Sequence, residues 1–359
     1  MVHLDAVRAC NKALVKRQSI TAVFVGGTSG IGEYAARALA STHGTSGRGL
    51  RMYIVGRNEA AANTVIAECR EACPAGKFYF VPASDLSSLR EVDRVCRQIV
   101  NAEEASAAGK SASIDLLVMS QAMFAFGGRL GQQETSEGLE QSLSLLYYSR
   151  MRFITQLLPL LLASPLSGRV VSVFGPGRDS KLVLDDLPLR NPENFGFGNL
   201  GSHAAYMTTF FFEKLATSHP GKLSLSHYFP GIVITPAYKS DGVPAWFKRV
   251  FTVARPLFRL LSVPAKECGE RVLFHTSPRF PARSSDAEAK SPAKLENIKV
   301  ALSSDGVLGG GAYRTNWNAE VVPLGKGYKQ LDKDEVKEKV WDHTMKAFQE
   351  ISSGGYFSG

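Results

Sequence analysis

The sequence predicts an α/β chain: a doubly wound parallel sheet with helices on both faces, forming one domain with a lid insertion and a C-terminal extension. Three observations carry this. Short runs rich in β-branched and aromatic residues alternate with stretches of helical periodicity from Thr21 to Phe229. These runs are apolar on both faces, as strands buried between two helix layers must be. The first of them, Ala22–Val25, stops at a glycine-rich turn (Gly26, Gly27, Gly30, Gly32) and enters an alanine-rich helical pattern. A junction of that kind presents free backbone N–H groups and a positive dipole end to a phosphate. Glycine is required there because a Cβ would block the approach of a pyrophosphate or the packing of helix on strand.

The elements follow in order. Residues 4–17 read as a short amphipathic helix leading into the first strand, and 41–50 as a long loop. Arg51–Val55 is the second strand, Glu59–Cys73 a helix stopped by Pro74, and Phe78–Pro82 the third strand. A helix over Leu86–Ala102 precedes an Ala/Ser-rich loop and a fully apolar fourth strand, Ile114–Met119. A long helix spans Gly138–Leu162, followed by a fifth strand, Arg169–Phe174. Residues 201–218 form the next helix and Leu223–Phe229 the sixth strand. Ala265–Pro278 reads as a later helix, 281–297 as an exposed insertion or flexible loop, and Asp305–Trp317 as the last strand. A charged helix over Lys333–Ile351 and a Gly/Ser-rich tail close the chain. The expected organisation is an N-terminal helix (1–20), a nucleotide-binding core (21–240), a lid (241–264) and the remainder of the core with its extension (265–359).

Composition narrows the function classes. The 359 residues are 44% apolar and 21% charged, enough for a full core. No apolar run approaches the roughly 20 residues that span a bilayer. Asp5 and Arg8 interrupt any secretory signal, so a cytoplasmic protein is expected. Five cysteines, an odd number, make no disulfide framework, and no spacing suggests a metal site. The formal charge of +9 comes from scattered residues with no nucleic-acid motif. A basic pocket for a phosphorylated cofactor and a basic surface account for it better than DNA or RNA binding.

The spacing Gly26-x-x-x-Gly30-Ile31-Gly32 resembles the cofactor turn of the short-chain dehydrogenase/reductase family, whose core is Rossmann-type. The second strand ends Val55-Gly56-Arg57-Asn58, where an acidic residue would suit the ribose 2′-OH of NAD and an arginine suits a 2′-phosphate. NADP(H) is therefore the expected cofactor, with Arg57 on the phosphate. Ser84-Asp85-Leu86 and Tyr228-Phe229-Pro230-Gly231-Ile232-Val233-Ile234-Thr235 resemble two further family segments, and Asp185-Asp186-Leu187 a third. The resemblance implies that Gly26, Thr28, Ser29, Gly30, Ile31 and Gly32 hold the pyrophosphate. It also implies Asp85 at the adenine and Thr235 at the carboxamide.

The family's catalytic pattern, a Tyr-x-x-x-Lys pair with Ser and Asn, is not intact. Asn-Asn-Ala-Gly is replaced by Met119-Ser120-Gln121-Ala122, and the run expected to hold Asn reads Leu145-Leu146-Tyr147-Tyr148. The serine position aligns with Gly175, and the Tyr and Lys positions fall on Gly201 and Ala205. Tyr206, His203 and Ser202 are the alternative proton carriers, Tyr206 being the one chosen; a tyrosine without a nearby cation keeps a pKa near 10. Tyr206-Met207-Thr208-Thr209-Phe210 and the strand end His227-Tyr228-Phe229-Pro230-Gly231 look similar to fungal members of secondary-metabolite pathways. The expected function is an NADP(H)-dependent oxidoreductase acting on a lipophilic carbonyl or alcohol. A cofactor-binding pseudoenzyme and a non-redox isomerase or cyclase are the alternatives. A homodimer is expected from the resemblance.

Within Val243–Pro264, Lys248, Thr252, Arg255 and Arg259 share one helical face, while Trp246, Val250, Val253, Leu257 and Leu260 line another. Pro256 is expected to kink or divide the element. Such a helix closes over a lipophilic substrate or lies on an anionic membrane surface.

Overall fold

The computed structural model describes residues 1–107, 111–122, 133–177, 179–236, 243, 245–284 and 298–359. Seven parallel strands form one sheet in the order β3-β2-β1-β4-β5-β6-β7. They are β1 (Ile20–Val25), β2 (Leu50–Gly56), β3 (Lys77–Pro82), β4 (Leu116–Met119), β5 (Gly168–Val173), β6 (Leu223–Tyr228) and β7 (Ala312–Thr315). The order reverses at β1, so β1 and β4 diverge in their connections. In open α/β sheets the ligand crevice opens at that switch point, beyond the C-terminal strand ends.

The helices are α1 (Leu4–Arg17), α2 (Gly30–His43), α3 (Glu59–Ala72), α4 (Leu89–Ser106), α5 (Gln141–Leu143), α6 (Ser149–Gln156), α7 (Leu158–Leu162), α8 (Phe197–Ser218), α9 (Ala245–Leu261), α10 (Ala265–Leu273) and α11 (Lys333–Ser352). One core layer joins Ala22, Phe24, Ile54 and Val118 of the sheet to residues of α2 and α3. The other joins Val23, Val25, Val55, Leu117 and Met119 to α4, α6, α8 and α11. The two strand faces are thus both covered, as the runs of apolar residues imply.

Local signals set several boundaries. The α4 helix begins at Leu89 rather than Leu86 because Ser88 caps it, its Oγ accepting from the Glu91 N–H at 3.3 Å. Asn58 caps α3 by accepting from Ala61 N–H at 2.9 Å. The long helix expected over 138–162 is not continuous. A π-turn, Ser144–Tyr148, separates α5 from α6, and the chain breaks at Leu157 ahead of Pro159 in the first turn of α7. The last strand is only Ala312–Thr315, and α8 starts at Phe197, four residues before the expected position. Residues 285–297 of the predicted insertion and 241, 242 and 244 of the predicted lid lie outside the described residues. The lid helix continues through Pro256 instead of dividing there. All five cysteines are free and buried. Among the described residues no helix is long and apolar enough to cross a membrane, and no metal-binding cluster occurs.

Candidate functional site

The crevice is built on the glycine turn. Gly26 and Gly30 take positive φ (77° and 63°), a conformation that L side chains rarely adopt. A Cβ on Gly32 would lie 2.6 Å from Gly26 O and 2.6 Å from Ser120 Oγ. Ser120, at the end of β4, donates to Val25 O at 3.2 Å and so ties the two central strands together below the turn. The first amides of α2 have no intrahelical acceptor. That of Gly30 donates to Glu33 Oε2 at 3.1 Å, and Glu33 pairs with Arg37. Burial raises the Glu33 pKa, against the opposing pull of Arg37 and the Gly30 N–H. Ser29 precedes α2 with its side chain exposed and without a capping bond. Ile31 is partly buried against the α2–α3 layer.

The other predicted nucleotide residues gather around this turn. A Cβ on Gly56 would meet Thr28 Cγ2 at 2.5 Å, so Thr28 stands beside the end of β2. Arg57 follows directly and is exposed. Asp85 is exposed after β3, its Oδ1 accepting from the Ser87 N–H at 2.8 Å and the Ser87 hydroxyl at 2.6 Å. Thr235, 205 residues along the chain from Gly30, is brought against it: a Cβ on Gly30 would stand 3.2 Å from Thr235 Cγ2. The Tyr34 hydroxyl donates to Ile234 O at 3.1 Å and holds that segment over α2. This arrangement fits a dinucleotide: an amide-lined turn, a cation at the β2 end, and a polar segment from β6 closing over the turn.

The catalytic face is different. Gly201 leaves a space on α8, where a Cβ would have, among the described residues, only the Phe174 ring within 4 Å, at 3.9 Å. Ala205, one turn on, is fully buried. Gly175 brings no hydroxyl, and its N–H donates to His227 Nε2 at 3.4 Å. Gly175, Gly201 and Ala205 thus bring no titratable side chain to this face.

Tyr206 does not replace them. It is 1% exposed, points away from the azimuth of Gly201, and packs on Tyr328 with ring centroids 4.2 Å apart. Burial, reinforced by Asp179, raises its pKa. A buried phenol held above its usual range is a poorer proton carrier at neutral pH, and the contact the structure gives Tyr206 is its packing on Tyr328. His203 is committed as well: its Nε2 accepts from Val183 N–H at 3.0 Å, leaving Nδ1–H to donate to Leu187 O at 3.1 Å. Ser202 accepts from the Ser180 and Lys181 N–H groups, both at 2.9 Å, and donates to Lys181 O at 2.6 Å. All three fasten the 180–187 loop and the 325–330 turn to α8. Tyr206→Phe is expected to leave turnover and cofactor binding within about twofold of the parent, because no hydrogen bond to the ring hydroxyl enters the crevice. Steady-state assays of the two proteins check this.

Sequence reasoning missed a buried polar layer below the crevice. Ser172 of β5, His227 of β6 and Arg314 of β7 are adjacent in register, on the face that packs under α8. Arg150 of α6 descends onto them and is fully buried. Its guanidinium donates to Ser172 Oγ and Val173 O, both at 2.8 Å, and to Gln121 O at 2.7 Å. Burial pulls Arg150 down to about 9, so it keeps its charge at neutral pH. His227 sits between the two arginines and is held neutral, first by burial and then by Arg314 and Arg150. Arg314 donates to both Asp179 oxygens at 2.8 and 3.0 Å and to Tyr328 Oη at 2.6 Å. The available signal was a polar residue, Ser172, His227 or Arg314, in each of three successive strand runs.

The comparisons with known proteins agree with this geometry. Residues 20–175 match the family model described as short chain dehydrogenase. The chain is 37% identical over 355 residues, 98% of both chains, to "Short-chain dehydrogenase/reductase SAT2" of Stachybotrys chartarum. It is 38% identical to "Oxidoreductase AN1596" of Emericella nidulans, over 96% of this chain and 97% of the relative. Solved structures share the fold at low identity. The NADPH-bound carbonyl reductase from chicken fatty liver aligns with a TM-score of 0.52 and 13% identity, covering 86% of this chain and all of that one. The MalC reductase/Diels-Alderase from Malbranchea aurantiaca aligns with a TM-score of 0.53 and 16% identity, over 74% and 92% of the two chains. A glycine turn met by the post-β6 segment, in a chain alike over its full length to these fungal proteins, places it in the short-chain dehydrogenase/reductase family of oxidoreductases.

Proposed function

We propose that the protein is an NADP(H)-dependent oxidoreductase acting on a lipophilic carbonyl or alcohol in fungal secondary metabolism. The observation that supports this most is the apposition of Thr235 and Gly30, with Arg57 exposed at the neighbouring strand end. In this reading the amides of Gly30, Ile31 and Gly32, with the Thr28 and Ser29 hydroxyls, hold the pyrophosphate, while Gly26, whose own N–H donates to Val55 O at 3.0 Å, lets the backbone approach it closely. Arg57 pairs with the 2′-phosphate, Asp85 meets the adenine through Oδ2, and Thr235 orients the carboxamide. When bound, the nicotinamide supplies or accepts hydride. Arg150 keeps a positive charge at the ends of β4 and β5, where it favours negative charge developing on a substrate oxygen. With glycine at 175 and 201 and alanine at 205, the proton comes from water or from the substrate. The space beside Gly201 and Phe174 suits a bulky apolar substrate.

Titration with NADPH and NADH tests the reading: selective NADPH binding is expected, and binding of neither would overturn it. Arg57→Glu is expected to weaken NADPH about 10- to 100-fold while sparing NADH, the loss of a charge-assisted pair to phosphate. An unaltered preference would remove Arg57 from the site. A second reading is favoured by the vacant catalytic positions: a protein that binds the cofactor without redox turnover, or that uses the crevice for isomerisation or cyclisation. Deuteride transfer from C4-labelled NADPH to product separates the two, since the second reading requires none.

A further inference from the structure

We propose that α9 docks the protein on an anionic membrane surface, with its outer apolar stripe in the lipid interface. Trp246, Val250, Val253 and Leu261 are 65%, 57%, 82% and 68% exposed. Their spacing of four, three and eight residues puts them on one side of the helix. A lid closed over a lipophilic substrate would bury that stripe; here it is open to solvent at all four positions.

The flanking charge selects the partner. Residues 243–264 contain Lys248, Arg249, Arg255 and Arg259 and no acidic residue, in a chain whose formal charge is +9. Arg249 and Arg259 are exposed, and the Thr252 hydroxyl turns back on Lys248 O at 2.7 Å. A helix with a bulky apolar stripe, a basic remainder and no acid binds anionic headgroups through both surfaces at once. A groove on another protein would not call for this excess of one sign along the whole element.

The stripe continues to the mouth of the crevice. Val263 N–H donates to Ile232 O at 2.8 Å, and Ile232 itself is 53% exposed. Val263 Cγ2 would stand 3.2 Å from a Cβ on Gly231. Ile232 belongs to the Pro230–Thr235 segment that reaches the glycine turn. A membrane contact through α9 therefore sets the apolar edge of the crevice beside the lipid, where a lipophilic substrate partitions. The docking itself does not rest on the redox reading.

The test is flotation of the full-length protein with phosphatidylcholine vesicles and with vesicles containing about 30% phosphatidylserine. The protein is expected to float with the anionic vesicles at low salt and to be released as salt rises, since the Debye length falls from about 10 Å at 0.1 M to 3 Å at 1 M. Val253→Asp and the pair Lys248→Glu/Arg259→Glu are each expected to cut bound protein about tenfold or more, with unchanged melting temperature and NADPH titration. Absence from anionic vesicles, equal binding to neutral ones, or indifference to both variants would overturn the proposal. A Val253→Asp protein that changes from dimer to monomer, with no vesicle binding by the parent, would assign the stripe to a second copy instead. Because flotation reads no turnover, its failure is distinct from failure of the proposed reaction.

Discussion

Asp179→Ala is expected to lower the unfolding free energy by about 3–5 kcal/mol, because it leaves Arg314 buried without its counter-charge. Both side chains of this pair are 1% exposed. The carboxylate takes two guanidinium bonds, while Tyr328 Oη and Thr209 Oγ1, at 2.6 and 3.2 Å, take the remainder from one nitrogen. The pair joins β7 to the loop after β5, so its loss is expected to loosen the floor of the crevice as well as the strand. At this chain length each kcal/mol corresponds to roughly 2–4 °C of melting temperature, which gives a fall of about 6–20 °C. The double variant Asp179→Leu/Arg314→Met removes both charges and is expected to recover more than half of the deficit. Calorimetric melts of the three proteins decide this: a single-variant loss below 1 kcal/mol, or a double variant no better, would show that the pair does not carry the floor.

Gly32→Val is expected to abolish nucleotide binding, with a loss of at least about 100-fold. The first added carbon already falls 2.6 Å from a backbone carbonyl, Gly26 O, and 2.6 Å from Ser120 Oγ. The Ser120 rotamer is held by Val25 O, and the Gly26 carbonyl belongs to the glycine turn itself. Relief therefore requires α2 to move away from β1, which displaces the amides together and costs about 1–3 kcal/mol of stability through overpacking. Titration with NADPH alongside a melt measures both effects. Binding within tenfold of the parent would show that the turn does not hold the cofactor.

The fold was legible in the sequence almost throughout, because a strand buried on both faces and a helix covering it leave periodicities that no distant residue needs to supply. The Gly26–Gly32 turn was legible for the same reason: its backbone angles and close approaches are local demands that only glycine meets. Boundaries were less so. The break at Leu157 has a local mark in Pro159, but the π-turn at Ser144–Tyr148 has no breaker among its own residues.

The candidate site divided along the same line. Arg57, Asp85 and the turn were found by their place at strand ends. Their assembly with Thr235 depends on the crossover that returns the chain to the middle of the sheet. The surroundings of Tyr206 were not legible because a helix of aromatic and small residues does not declare which side is buried; packing against Tyr328 and the 325–330 turn decided that. Arg150, His227 and Arg314 lay in mixed runs that point to no partner nearby in the chain. Asp179 lies 135 residues from Arg314. The sequence by itself determined a doubly wound sheet and the glycine turn between its first strand and helix, since each is written in residues close together. The tertiary structure alone decided which charges share a buried layer and which helix face meets solvent. Burial is a property of the assembled chain, and it governs whether a polar group binds, reacts or only holds the fold.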